Sequence, residues 1–403
     1  MSKARFLDNR TPPVLATLVL LAGLSALTMS VFLPSLPGMA KWFGVPYGVM
    51  QQSVPLYLAL SAMLQVVIGP LADRYGRRKV LLWALGLFLL ASVGTLLATS
   101  ATVFLICRMA QAVIAAGTAL SRAIVRDITD DAEAASMIGY VTMGVSLMPM
   151  IGPAIGGWLD VTFGWQGSFV LLLVLGAGVL ALVWADLGET AVLRDVSLVG
   201  QIREYPRLLA SPRFWGYSLS AAFSSGCFFA YLGGAPFIGT EVYRMSSADV
   251  GLLFGLPALG YAAGNFLAGR YSVRVGMNRM VLTGCAVTTF GMALLALLTW
   301  AGLSGPETFF GLTIFLGIGN GIALPNANAG ILSVRPELAG SASGLGGALM
   351  IGGGAALASV AGALLVPGST EMPLILIMLG SSAASILAIL VVIRRARAIG
   401  IPT

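Results

Sequence analysis

Long apolar stretches follow one another along the whole chain, and charge, glycine and proline gather between them. Each stretch is close to the roughly 20 residues that carry an α-helix across a bilayer. The pattern predicts twelve helices, α1 to α12, over 13–36, 47–69, 80–99, 102–124, 134–158, 166–187, 212–237, 247–268, 279–302, 307–331, 339–365 and 372–393. An even number of crossings returns both termini to the same side. The longest interruption, 188–211, carries Val196, Leu198, Val199, Ile202, Leu208 and Leu209 between charges. It reads as a linker with an amphipathic helix resting on the membrane face. The protein therefore divides into a six-helix bundle over 1–187, the linker, and a second six-helix bundle over 212–403.

Composition agrees. Of the 403 residues, 58% are hydrophobic and 10% charged. Soluble domains carry about 45–50% apolar and about 25% charged residues. A water-exposed surface of this size cannot be covered with so little charge, so a soluble enzyme and a disordered polypeptide are both excluded. The expectation is an all-α, multi-pass membrane protein.

The net charge of +7 would suggest nucleic acid in a soluble protein. Here twenty of the 23 basic residues fall in the loops and tails of one side. Lys41 and Arg244 fall on the other, and Arg108 lies inside a span. Positive charge is retained on the cytoplasmic side, which predicts cytoplasmic termini and no nucleic-acid partner. Tryptophans 42, 83, 158, 165, 184, 215 and 300 lie near predicted helix ends, as an interfacial aromatic belt requires. There is no histidine, which removes the commonest metal ligand and the commonest base near neutral pH. Cys107, Cys227 and Cys285 sit far apart within apolar runs and read as unpaired. Neither a metal nor a cofactor is expected. The short basic start, Met1 to Arg10, leads to no small-residue cleavage site, so α1 reads as a retained span.

The halves look related. Leu71-Ala72-Asp73-Arg74-Tyr75 follows α2 and Leu267-Ala268-Gly269-Arg270-Tyr271 follows α8, with four of five residues alike. Two parallel six-helix repeats are a transporter design, with the substrate site between them near the midplane. Polar residues within apolar spans are then candidates for the cavity wall or for bridges between helices. They include Ser30, Gln52, Tyr57 and Gln65, and, in the second half, Tyr231, Asn320 and Asn326.

Three motifs carry more. The loop after α2 reads Gly69-Pro-Leu-Ala-Asp73-Arg74-Tyr-Gly76-Arg77-Arg78-Lys79. Gly76 permits a tight turn, and Asp73 can pair with Arg77 or with the positive N-terminus of a neighbouring helix. In α4, Arg108-Met-Ala-Gln111 places an arginine roughly 9 Å into the span at 1.5 Å per residue. That costs at least about 2.5–3.5 kcal/mol, so Arg108 is expected on the central cavity, with Gln111 on the same face. In α5, Gly139 and the cluster Gly152-Pro153-Ala-Ile-Gly156-Gly157 allow close helix approach and a kink.

The α2–α3 loop closely resembles the loop signature of the major facilitator superfamily. The resemblance implies that Asp73 latches the cytoplasmic side against the start of α11, near Gly340 and Ser341, and against Arg122 or Arg126 at the end of α4. Gly69, Asp73, Gly76, Arg77, Arg122 and Arg126 are then the conformational gate. The Arg-x2-Gln pair resembles the family's α4 signature, whose arginine is linked to substrate and proton coupling. The α5 cluster resembles the antiporter signature of exporters in this superfamily. Phe32-Leu-Pro34-Ser-Leu-Pro37, Arg122 to Asp127, Phe229-Ala-Tyr231 with Ala235-Pro236-Phe237, and Gly340 to Ser343 together resemble the Bcr/CflA multidrug efflux transporters. That likeness implies proton-driven drug export from a bacterial inner membrane, with Arg108, Gln111, Tyr57, Ser30, Tyr231 and Asn320 around the substrate.

Many relatives carry an acid in α1 where this protein has Ser30, and no carboxylate lies deep in a predicted span; Asp73, Asp127 and Asp160 sit at helix ends. Proton coupling then falls to an end-of-helix acid, to a proton on the substrate, or is weak. The expected protein is a monomeric secondary transporter working by alternating access, with protons and a small molecule as partners. Export of a specific organic anion, favoured by the lone Arg108, is the alternative. A membrane enzyme lacks a nucleophile with a base beside it, and a sensor lacks a signalling domain.

Overall fold

The computed structural model describes residues 6–129, 131–190, 206–335 and 338–398; the side chains of Arg126, of many α5 positions and of the first turn of α11 lie outside that description. Twelve long helical runs follow one another, and no strand occurs among the described residues. The first six are α1 Leu15–Phe43, α2 Tyr47–Gln51 resuming as Pro55–Tyr75, α3 Arg77–Leu96, α4 Ala101–Ala110 continuing to Ile128, α5 Asp131–Phe163 and α6 Gln166–Asp186. The second six are α7 Pro212–Val242, α8 Ser247–Val275, α9 Met277–Trp300, α10 Pro306–Ser333, α11 Ala339–Leu364 and α12 Met372–Ala398. Ten of these are long and apolar enough to cross a membrane, and α2, bent by 46°, makes an eleventh. Residues 191–205 of the linker, where the amphipathic helix is expected, lie outside the described residues.

Two bundles form because each helix finds partners within its own half. In the first, α1 packs on α5, α4 and α6, and α3 packs on α6. In the second, α10 packs on α8 and α9, while α7 packs on α11 and α12. Two seams join the bundles, α2 against α11 and α5 against α8.

The repeat is visible in the turns. Gly76 (φ 98°, ψ 144°) ends α2 and Gly276 (φ 91°, ψ 143°) ends α8, a positive-φ conformation that side chains resist. Each glycine N–H closes its helix on the carbonyl four residues back, Ala72 at 2.9 Å and Ser272 at 3.0 Å. The structural equivalent of Tyr271 is therefore not Tyr75. Arg74 matches Arg274, Gly76 matches Gly276, and Asp73 matches Val273 rather than Gly269. The Leu-Ala-x-Arg-Tyr match is one helical turn out of register. A four-residue slip keeps nearly the same helix face at 3.6 residues per turn, so residue identity alone does not detect it.

One other expectation changes. Six of the tryptophans are exposed, but Trp165 is 5% exposed. It packs edge-on against Phe104 at 5.8 Å and beside Phe43 at 5.6 Å, inside the first bundle.

Candidate functional site

Arg108 is fully buried. Its two terminal nitrogens donate to Gln111 Oε1 and to the Thr28 carbonyl, both at 2.9 Å. The guanidinium carbon lies 4.1 Å from the Tyr57 ring centre and 4.4 Å from that of Phe32. Gln111 in turn donates to Ser92 Oγ at 2.9 Å, and Ser92 donates to the Phe88 carbonyl at 2.7 Å. α4 tightens into a 3-10 turn over Gln111–Ile114, immediately after the arginine. Helices α1, α2 and α4 thus meet at one guanidinium, and α3 joins them through Gln111.

Magnitudes explain how the charge is held without a carboxylate. Burial of the arginine costs at least about 2.5–3.5 kcal/mol. Two hydrogen bonds from a charged group are worth about 1.5–3 kcal/mol each, and desolvated cation–π contacts about 2 kcal/mol each. The ring faces and carbonyl dipoles can hold the positive charge. The structure encloses Arg108 and Gln111 within the first bundle, toward the Tyr47 end, rather than opening them to the space between bundles.

That end is where the bundles are joined. Tyr47 donates to the Gly233 carbonyl at 2.5 Å, Gln51 donates to the Ala358 carbonyl at 2.8 Å, and Lys41 pairs with Glu241 at 2.7 Å. Gln51 lies in a slot between Gly233 and Gly362; a methyl on either glycine would overlap its amide. Glu241 is carried on a five-residue π turn, Ile238–Val242, that follows Pro236 in α7. The α5 glycines serve two contacts. A methyl at Gly156 would overlap the Val31 carbonyl of α1, and one at Gly157 would overlap the Ser247 carbonyl of α8. Gly251 meets the Pro153 carbonyl in the same way. Ser30, beside Gly152, lies in the α1–α5 contact and shares its hydroxyl between the Ala26 and Met148 carbonyls at 3.3 Å.

A cavity of about 210 Å³ opens between the bundles. Its wall is made by Phe228 and Phe229 of α7, Tyr261 of α8, Asn320 and Leu324 of α10, Met350 of α11, and Val145 from α5 of the first bundle. Each sits near the middle of its helix, so the cavity lies at the depth where alternating-access carriers bind. Among the described residues no charged side chain lines it. Asn320 accepts from Ser224 Oγ at 2.6 Å.

The Major Facilitator Superfamily model matches residues 18–359, with a second match over 240–401. The chain belongs to the major facilitator superfamily. Among its relatives, the MFS-type transporter YdgK of Bacillus subtilis (strain 168) is 32% identical over 337 residues, 82% of this protein and 83% of that one. Multidrug resistance protein D of Escherichia coli (strain K12) is 27% identical over 92% of this protein and 94% of its own length. A chloramphenicol resistance protein of Pseudomonas aeruginosa is 30% identical over 89% and 86%. A bacterial homologue of the human lysosomal transporter Spinster, in an inward-facing and occupied conformation, superposes with a TM-score of 0.68 at 19% identity, covering 95% of this protein and 94% of that one. The protein is a multi-span membrane transporter, not an enzyme.

In this facilitator the α2–α3 loop is tied within the first bundle. Asp73 pairs with Arg77 at 2.8 Å, and Arg77 reaches on to Asp127 of α4 at 3.0 Å. The Arg77 N–H donates to Glu189 at 2.7 Å. A Cβ at Gly76 would overlap the Glu189 carboxylate, whereas one at Gly69 would meet open space. Among the described contacts, the loop reaches α4 at Asp127, through Arg77. Arg122 acts on Tyr261 of α8, and the side chains of Arg126, Gly340 and Ser341 lie outside the described residues, as does the setting of Gly139.

Of the residues expected around substrate, Arg108, Gln111 and Tyr57 come together, but in the enclosed cluster. Asn320 alone of the six lines the cavity. Tyr231 is buried against Phe254, with ring centres 4.8 Å apart. Sequence reasoning missed Phe228, Tyr261 and Met350 and named Phe229 only within a motif; Phe228 and Met350 look like any lipid-facing apolar residue. It also missed Gln51, next to the Gln52 it named, and Asp186. That carboxylate, fully buried, accepts from the Leu7 and Val14 N–H groups and from Thr17 Oγ1, clasping the N-terminal stretch to α6.

Proposed function

We propose that this facilitator exports small drug-like molecules across a bacterial inner membrane by alternating access, with protons moving the other way, as a member of the Bcr/CflA group. The observation that carries the reading is the uncharged, aromatic-walled cavity at mid-depth beside a sealed end of the bundle. Orientation follows the basic loops: the Asp73 end faces the cytoplasm, the termini lie there, and the sealed Tyr47 end faces the periplasm. Loading then occurs from the cytoplasm, and release requires Gln51 to leave its slot and Lys41 to leave Glu241. The segments 1–187 and 212–403 rock as units.

Drug-resistance relatives over nearly the whole length support drug export as the cargo class. Arg108 serves in this reading as the tie that keeps α1 to α4 together through the stroke. Export of an organic anion has weaker support, because the guanidinium that favours it is enclosed. The test is efflux of a substrate panel from proteoliposomes with and without an imposed pH gradient. Gradient-driven export of neutral drugs is expected. Export indifferent to the gradient overturns antiport, and export of anions alone overturns drug efflux.

A further inference from the structure

Asn320 offers the cavity a hydrogen-bonding direction held in place by a neighbouring hydroxyl. Ser224 sits on α7, one turn before Phe228. Its hydroxyl donates to Asn320 Oδ1 at 2.6 Å, which occupies the acceptor side of the amide. The amide nitrogen donates to no protein group among the described residues. A side chain that is 3% exposed and lines the cavity has one place to turn that nitrogen, which is into the void. Of the other polar side chains on the wall, Ser225 spends its hydroxyl on the Ala221 carbonyl at 2.7 Å, and Tyr261 adds a phenol at the end of its ring.

The rest of the wall sets the shape and charge of an occupant. Phe228, Phe229 and Tyr261 supply flat ring surface, and Met350 and Leu324 supply adaptable apolar surface. No acid among the described residues lines the wall to hold a cation. No described lysine or arginine lines it to pair with an anion. An ion brought here would lose its water without a partner, which is costly.

We infer that the substrate class is a neutral aromatic molecule bearing one hydrogen-bond acceptor, typically a carbonyl, which the Asn320 amide N–H receives while Ser224 holds the amide in orientation. This rests on the export reading only in taking the cavity as the substrate site. Asn320 is the specificity-determining contact and Ser224 a positioning residue.

Benzophenone is a suitable probe: neutral, aromatic, with one ketone oxygen, and photoreactive toward methionine. On illumination its ketone oxygen takes a hydrogen atom from a C–H bond of the methionine, and the two carbon radicals join. The full-length protein in lipid nanodiscs is illuminated with benzophenone and the labelled peptides are quantified by mass spectrometry. Met350 reports the cavity. Met63, 66% exposed on the outside of α2, reports probe dissolved in the lipid, so the Met350 to Met63 ratio corrects for partitioning and for loss of protein.

Asn320→Leu should lower that ratio about tenfold, the scale of one lost hydrogen bond. Ser224→Ala should lower it about threefold while leaving the cavity wall intact. 4-Benzoylbenzoate and a trimethylammonium-substituted benzophenone should label Met350 at least tenfold less than benzophenone does. An unchanged ratio in Asn320→Leu, or Met350 labelling by either charged probe equal to that of benzophenone, would overturn the inference. Labelling reads occupancy and the proteoliposome assay reads export, so either reading can fail alone.

Discussion

The two bundles deal with polar groups in opposite ways. The first buries a full positive charge: Arg108 is held by two carbonyl oxygens and two ring faces. The second keeps a void and puts no charge on its described wall, only neutral polar groups such as an amide braced by a neighbouring hydroxyl. A charge in a low-dielectric interior must be satisfied at all times, because leaving it unpaired costs far more than leaving a neutral donor unpaired. A site that is empty for part of each cycle can tolerate an idle amide. Charge therefore belongs to the part that stays assembled, and neutral polarity to the part that fills and empties.

The largest expected effect tests the first bundle. Arg108→Ala should reduce export to background with protein still present in the membrane, because four helices lose their common tie. Arg108→Lys should not restore it, since an ammonium cannot fork to Gln111 and Thr28 at once. Wild-type efflux in Arg108→Ala would remove the arginine from the mechanism. Next in size is the seam between bundles. Gly362→Ala puts a methyl into the Gln51 amide; overpacking of this kind costs about 1–3 kcal/mol. The sealed end should then open, lengthening a spin-label distance measured across the α2–α11 seam, and an unchanged distance distribution would refute the slot.

A sharper contrast lies in the α2–α3 loop. Gly76→Ala meets both a φ of 98° and the Glu189 carboxylate, while Gly69→Ala meets nothing. Thermal unfolding in detergent should fall for the first and stay unchanged for the second. The smallest effect belongs to Lys41→Ala. The lysine side chain is 73% exposed, and exposed pairs contribute about 0–1 kcal/mol. Export should change less than twofold, and the change should vanish at high salt. A larger loss would promote this pair from a minor contact to a main gate.

Much of the fold was legible because a bilayer leaves few choices: apolar runs of span length must be helices, and basic loops report their side. Arg108 stood out because a charge in hydrocarbon demands an explanation. Its surroundings did not, since Phe32 and Tyr57 come from other helices and nothing in spacing predicts two rings around one guanidinium. Gln51 and Gln52 could not be told apart, because α2 breaks between Gln51 and Pro55 and its helical phase is lost there. The cavity wall was the least readable part. Phe228, Phe229 and Met350 are as apolar as lipid-facing residues, and only assembly decides which of them face a void.

The two seams between bundles differ in what closing them does to motion within the protein. At the α5–α8 seam, Gly157 and Gly251 bring backbone against backbone, so these two contacts freeze no side chain when they form. At the α2–α11 seam the long side chain of Gln51 must be immobilised, and it carries about 1.5–2 kcal/mol of conformational entropy at room temperature. Warming therefore weakens one seam more than the other, and the two halves should part first along α2 and α11 while α5 and α8 stay in touch as the fulcrum.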